Sequence, residues 1–203
     1  VAERPNGDWG RCYLANGQIK DAAFQLDQQL FPLLELAEYV AETGDRATWE
    51  RLRPAVGLLV EMLLARKAAH AWLFPTDETP ADDPVALPYH FSSHILLWHA
   101  FRRIAALDDD AHLAGIAENV RRTVFEHFAA ARDGQTLYAY ATDGAGRFHF
   151  YHDANDIPLA LAPLWGFTAS DDPVWRATVA FAFSEANEGG SYAGRLGSVH
   201  TRA

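Results

Sequence analysis

The chain has 203 residues, 49% of them hydrophobic, and a formal net charge of -10: enough apolar material for one large core, and too acidic for a face that neutralises nucleic-acid or anionic-membrane phosphate. Cys12 is its single cysteine, which excludes a disulfide framework and a cysteine-based zinc site. No apolar run reaches the ~18 residues of a membrane helix, and the first residues lack the basic and apolar regions of an export signal.

In chain order, Ala2 to Lys20 is rich in Gly, Asn and Pro without a sustained period, so it reads as a loop with at most a short extended piece. Leu30, Leu33, Leu34, Ala37, Val40 and Ala41 then recur at helical spacing, with Asp27 as a cap and Gly44 as the stop. A second helix runs from about Arg46 to Lys67 behind the N-cap Asp45, with Leu52, Val56, Leu59, Val60, Leu63 and Leu64 on one stripe and Pro54 as a bend. A third starts at Ser92 or Ser93 and reaches Leu107, and a fourth follows the Asp108-Asp110 turn to Phe128. Leu137 to Thr142 and Arg147 to Tyr151, rich in aromatics around Asp143-Gly144-Ala145-Gly146, predict a β-hairpin. Helices from about Pro158 to Trp165 and Pro173 to Ser184 begin on prolines, where a missing N–H is harmless.

The pattern is one of antiparallel helix pairs with short turns on one side and long, aromatic loops on the other. Loops of that length in a compact domain point to function. Val1 is not an initiator Met, and the chain stops within a Gly-rich stretch, so the expectation is one partial domain, 1–203, of a longer protein.

Two constellations offer chemistry. The first, Phe74 to Pro84, holds Asp77, Glu78, Asp82 and Asp83 between prolines, an extended loop by the restriction proline places on itself and its predecessor. Four acids in a loop are commonly a solvated turn; here Trp72, Phe74, Tyr89 and Phe91 surround them. Glycoside cleavage needs one protonated carboxyl and one that activates water, and adjacency or burial can raise one pKa of the Asp82-Asp83 pair. The second, Phe148 to Pro158, delivers His152, Asp153, Asn155 and Asp156 to a helix start; capping is the bland reading. A metal on His90, His94, His149 or His152 is a rival, although the spacing matches no known zinc motif. Gln25-Leu26-Asp27 and the terminal Gly189 to Thr201 loop fall on the same side.

These blocks carry a resemblance. Phe24-Gln25-Leu26-Asp27 closing at Thr43-Gly44-Asp45, then Thr79-Pro80-Ala81-Asp82-Asp83, Asp153-Ala154-Asn155 before Pro158, and Gly197 to Thr201 together resemble the motifs of glycoside hydrolase family 125. That family comprises metal-independent exo-α-mannosidases of the six-hairpin class. The resemblance implies an all-α (α/α)6 toroid with a small β-hairpin insertion, and inverting removal of terminal α-linked mannose, usually α-1,6, without cofactor or metal. It implies Asp83 or Asp82 as general acid, and Gln25, Asp27, Thr79, Asp153, Asn155 and His200 as substrate-binding groups. It places the general base, a Glu, beyond the last residue, and a Trp-Leu-Arg-Asp motif before the first. Its partner is a carbohydrate, its expected location cytoplasmic. Gln25 stands where the family has Glu, Thr79 where it has Arg, and His94 where it has Asn; Asp156-Ile157 adds a residue before the proline. These departures bear on the substrate more than on the fold. A glucoamylase-like or debranching six-hairpin enzyme and a non-catalytic sugar-binding module are the alternatives.

Overall fold

The computed structural model describes residues 8–153 and 155–188, together with the backbone at 191, 192, 198 and 199. Strands β1 (Cys12–Tyr13) and β2 (Ile19–Asp21) pair antiparallel. Helix α1 (Leu26–Thr43) follows and ends on Gly44, whose positive φ of 70° and N–H to Val40 carry the chain out of the helix. Its start differs from the expectation: Gln25 is the N-cap and makes no side-chain cap bond, while Asp27 lies buried within the first turn. Asp27 is therefore not a cap. Helix α2 (Arg46–Arg66) starts where expected, because the Asp45 carboxylate accepts from the Thr48 N–H at 3.0 Å. On its stripe Val56, Leu59 and Leu63 are buried, whereas Leu52 is exposed; the face is instead completed by Trp49, whose Nε1 donates to Asp108 at 2.9 Å.

After the acidic loop, the two-residue strand β3 (Tyr89–His90) enters α3 (Phe91–Asp108) directly, with His90 as N-cap accepting from the Ser93 N–H. Helix α3 is apolar nearly all round and buried over most of its length, as a helix enclosed on several sides must be. Asp109, in the left-handed region, and Asp110, which caps by accepting from Leu113, turn the chain into α4 (Ala111–His127).

The predicted hairpin around Asp143-Gly146 is present, with Ala141 opposite His149 and Thr142 opposite Phe148, but its first strand is shorter than expected and a further hairpin precedes it. Strands β4 (Ala129–Arg132) and β5 (Gln135–Tyr138) pair around Asp133-Gly134, both at positive φ, the geometry that favours Asp-Gly in a two-residue hairpin. Strand β6 (Ala141–Thr142) then lies between β3 and β7 (Phe148–His149). Leu137 and Tyr138 thus pair backward rather than forward. Helix α5 (Ile157–Leu161) is shorter than the pattern predicts: Pro163 has no N–H to give Leu159, and Gly166 at positive φ closes the turn with Phe167 bonded back to Ala162. Helix α6 (Pro173–Ala182) and the strand pair β8 (Ser191–Tyr192) and β9 (Ser198–Val199) complete the described chain.

Helix α3 packs against α1, α4 and α5, and α1 packs against α2. The core formed by Leu26, Leu30, Leu33, Leu59, Leu63, Ile95, Phe101 and Val120 is continuous across them. The consequence for function is at one end. The N-termini of α1, α3 and α5 and the loop before β3 meet there.

Candidate active site

The acidic loop is tied to α1 before its carboxylates are presented. The Thr76 hydroxyl accepts from the Leu26 N–H at 3.1 Å, and the Asp77 N–H donates to the Phe24 carbonyl at 2.9 Å, so the free first turn of α1 is partly satisfied by the loop. Thr79 is buried and organises the turn: its N–H donates to the Asp83 carbonyl at 2.8 Å, its carbonyl accepts from Asp82, and its hydroxyl accepts from Ala81 at 3.2 Å. Asp82 takes the left-handed conformation at φ 65°, tolerated by Asp better than by most side chains.

Two residues fix the loop from below. The fully buried Gln25 donates through Nε2 to the Thr79 carbonyl at 2.9 Å and to Asp82 Oδ1 at 2.7 Å. Arg11, carried by the β1–β2 pair, bonds to Asp21 and meets Glu78 at 2.8 Å and Asp82 at 3.5 Å. Asp82 is thus held by two donors while its side chain stays 62% exposed. Asp83 is exposed beside it, and its carboxylate has no hydrogen bond or ion pair among the described residues.

Asp27, one turn into α1, is 3% exposed, and its Oδ1 has no hydrogen-bond partner. Burial raises its pKa to about 6, offset in part by His90 and by backbone N–H groups of the first turn. It lines a cavity of about 170 Å³ together with Pro80 of the acidic loop, Ser92 and Ser93 of α3, and Asn155 and Pro158 at α5. The Oε1 of Gln25 is also buried without a partner. Buried polar atoms left unpaired are costly, and where they border an opening they mark a place for a ligand.

The opposite wall comes from the segment before α5. Asn155 donates its N–H to Asp153 Oδ1 at 2.7 Å, and Tyr140 donates its hydroxyl to Asp153 Oδ2 at 3.4 Å. Burial, and then the neighbouring Asp156 charge, raise the Asp153 pKa. Asp156 is buried and accepts from Ser92 Oγ at 2.7 Å and from His152 Nδ1 at 2.9 Å. The second nitrogen of His152 faces the Tyr138 carbonyl at 3.2 Å.

Of the predicted site residues, Asp27 and Asn155 line one cavity, Gln25, Thr79 and Asp82 form one bonded unit in the loop that lends it Pro80, Asp83 is exposed next to Asp82, and Asp153 is bonded to the Asn155 N–H. His200 lies outside the described residues. Three contributors were not assigned roles from sequence: Arg11, Ser92 and Tyr140. Only the polar Ser92-Ser93 pair at an otherwise apolar helix start signals one of them. The histidines do not gather as a ligand set; among the described residues no three His, Cys, Asp or Glu side chains are grouped to hold a metal ion. His94 is committed to the fold, accepting at Nε2 from the Phe74 N–H at 2.9 Å and bonding the His90 carbonyl through Nδ1 at 2.6 Å.

Residues 73–203 match the sequence family described as metal-independent alpha-mannosidase, glycoside hydrolase family 125. The chain belongs to glycoside hydrolase family 125. The match covers the acidic loop, Asp153 and Asn155, whereas Gln25 and Asp27 precede it. No curated protein matches the sequence. Among solved structures, a metal-independent alpha-mannosidase of Streptococcus pneumoniae, in a non-productive complex with alpha-1,6-mannobiose, superposes with a TM-score of 0.76 at 18% identity over 91% of this chain. A family 78 rhamnosidase of Bacillus sp. GL1 superposes with a TM-score of 0.61 at 19% identity, covering 83% of this chain and 18% of the rhamnosidase. An endoglucanase of Komagataeibacter sucrofermentans gives 0.54 at 15% identity, covering 93% of this chain and 55% of the endoglucanase. At these identities the likeness is one of fold, and it supports the mainly helical six-hairpin architecture expected from the family 125 motifs. The chain spans 53% of the Streptococcus structure.

Proposed function

We propose that the full-length protein is a glycoside hydrolase that removes terminal α-linked mannose, with α-1,6 as the linkage, by inversion and without a metal. The observation that carries this reading is the convergence, in a family 125 chain, of Asp27, Asn155 and Pro80 of the acidic loop on one cavity, with the buried, unpaired Asp27 Oδ1 in its lining. A sugar hydroxyl supplies both donor and acceptor. It therefore fits Asp27 Oδ1 better than an apolar ligand does.

Asp83 is the preferred general acid of the pair. An acid must reach the leaving oxygen, and Asp82 is already engaged by Gln25 and Arg11, whereas Asp83 is open. Asp82 then orients the turn from which Asp83 projects. Gln25, Asp27, Thr79, Asp153, Asn155 and His200 are assigned to sugar binding. The inverting mechanism requires a second carboxylate about 6.5–9.5 Å from the acid with water between; in this reading the base belongs to a part of the protein outside these 203 residues.

The test is release of mannose from α-1,6-mannobiose by the full-length protein, with and without chelator. Chelator-insensitive release of mannose with inverted anomeric configuration is expected. Retention of configuration, or dependence on a metal, would overturn the mechanism.

A further inference from the structure

Asp156 follows Asn155 directly in sequence. It occupies the N-cap of α5 yet makes no side-chain cap bond, so its carboxylate is not spent on the helix end. It is 6% exposed and meets three groups from two places in the chain: Ser92 Oγ at 2.7 Å and His90 Nε2 at 3.4 Å at the start of α3, and His152 Nδ1 at 2.9 Å. Each of these is itself buried.

We propose that Asp156 is a positioning residue of the site: its carboxylate ties itself and His152 to the N-terminus of α3 and so sets where Asp153 and Asn155 stand. This rests on the sugar-binding reading above. Asp156 does not line the cavity, whereas Ser92 and Asn155 do, so the clamp acts through its neighbours. The Asp156 N–H donates to the Asp153 carbonyl at 3.2 Å, and the Asn155 N–H to the Asp153 carboxylate at 2.7 Å, which ties Asp153, Asn155 and Asp156 together. Tyr140 closes this group from the far side, edge-on to His90 with ring centroids 4.5 Å apart and within hydrogen-bond reach of Asp153. Burial opposes ionisation of Asp156, but the hydrogen bond from His152 and the nearby His90 imidazole outweigh it, holding the carboxyl below the usual range. A carboxylate held by two buried donors with a further imidazole close by is a rigid anchor. Groups that hold a contacting residue within a fraction of an ångström decide whether it works.

The test compares the full-length wild type with Asp156→Asn, Ser92→Ala, Asp153→Asn and the Asp156→Asn/Asp153→Asn double variant. Two readouts are taken: amide hydrogen exchange at Asn155, and kcat/KM on α-1,6-mannobiose. Asp156→Asn keeps the shape but not the charge, and at least tenfold faster exchange at Asn155 is expected, with about a 100-fold loss of kcat/KM. Ser92→Ala removes one donor and serves if Asp156→Asn does not fold, with about tenfold as its expected loss. On the Asp153→Asn background the effect of Asp156→Asn shrinks to threefold or less, because the residue it positions is already disabled. Equal losses on both backgrounds would reveal a merely structural role and overturn the proposal, as would unchanged exchange at Asn155 in a folded Asp156→Asn protein. If the wild type releases no mannose, the functional reading fails by itself and the exchange experiment alone decides the clamp.

Discussion

Gln25 Nε2 donates to Asp82 Oδ1 at 2.7 Å, joining the N-cap of α1 to the acidic loop 57 positions further along. The same nitrogen reaches the Thr79 carbonyl at 2.9 Å. An amide is the right group here because it donates to a carboxylate and a carbonyl at once. A carboxylate at position 25 would face both with no hydrogen to give.

Gln25→Glu is therefore expected to destabilise the fold by about 1–3 kcal/mol at neutral pH, the cost of a buried carboxylate set against the Asp82 carboxylate and the Thr79 carbonyl. Denaturant unfolding at pH 7 measures it. The loss should shrink under acidic conditions, where the introduced carboxyl carries a proton; a penalty equal at both pH values would contradict the account.

Asp27 is held at a raised pKa, about 6, chiefly by burial. Its folded-state pKa lies above the unfolded value, so its contribution to stability is fully present below about pH 4 and is lost as pH rises through about 6. Asp27→Asn removes this cost. The variant is expected to gain about 2–3 kcal/mol over wild type at pH 7, relative to their difference at pH 4, while losing affinity for mannobiose. Stability gained with binding lost is the signature of a strained functional group.

His94 titrates in the other direction. Burial lowers its pKa to about 4, below that of the unfolded chain, so protons bind the unfolded state first and stability falls as pH drops from about 6.5 towards 4. The contribution amounts to about 3 kcal/mol over that window. His94→Asn should flatten this part of the wild-type stability profile, as read by unfolding at a series of pH values. An unchanged slope would show that His94 is not the group responsible.

Much of the fold was legible because its determinants are local. Asp45 and Asp110 cap α2 and α4, and Gly44 stops α1, each by a side chain or a φ value that the residue type permits. The hairpin around Asp143-Gly146 is legible from its turn and aromatic strands, whereas the one before it carries its signal only in Asp133-Gly134, because Ala129 to Arg132 has no alternating apolar pattern. Helix α5 was overextended because Pro163 falls on the apolar pattern without interrupting it in sequence.

The site was legible as a set of loops and less so as a geometry. Asp82 and Asp83 are neighbours in sequence, but only the fold shows that Gln25 and Arg11 take one of them and leave the other open. Asp27 reads as a helix cap by position; its burial is imposed by the acidic loop and α3 closing over the first turn. Long-range partners of this kind carry no periodicity, so no pattern in the chain announces them.

The most direct test is the rate of mannose release from α-1,6-mannobiose by full-length wild type, Asp83→Asn and Asp82→Asn. Loss of a general acid predicts a fall of about 10²–10⁴ in kcat for Asp83→Asn, with a smaller fall for Asp82→Asn, which keeps an oxygen for Gln25. Wild-type turnover by a folded Asp83→Asn protein would contradict the assignment.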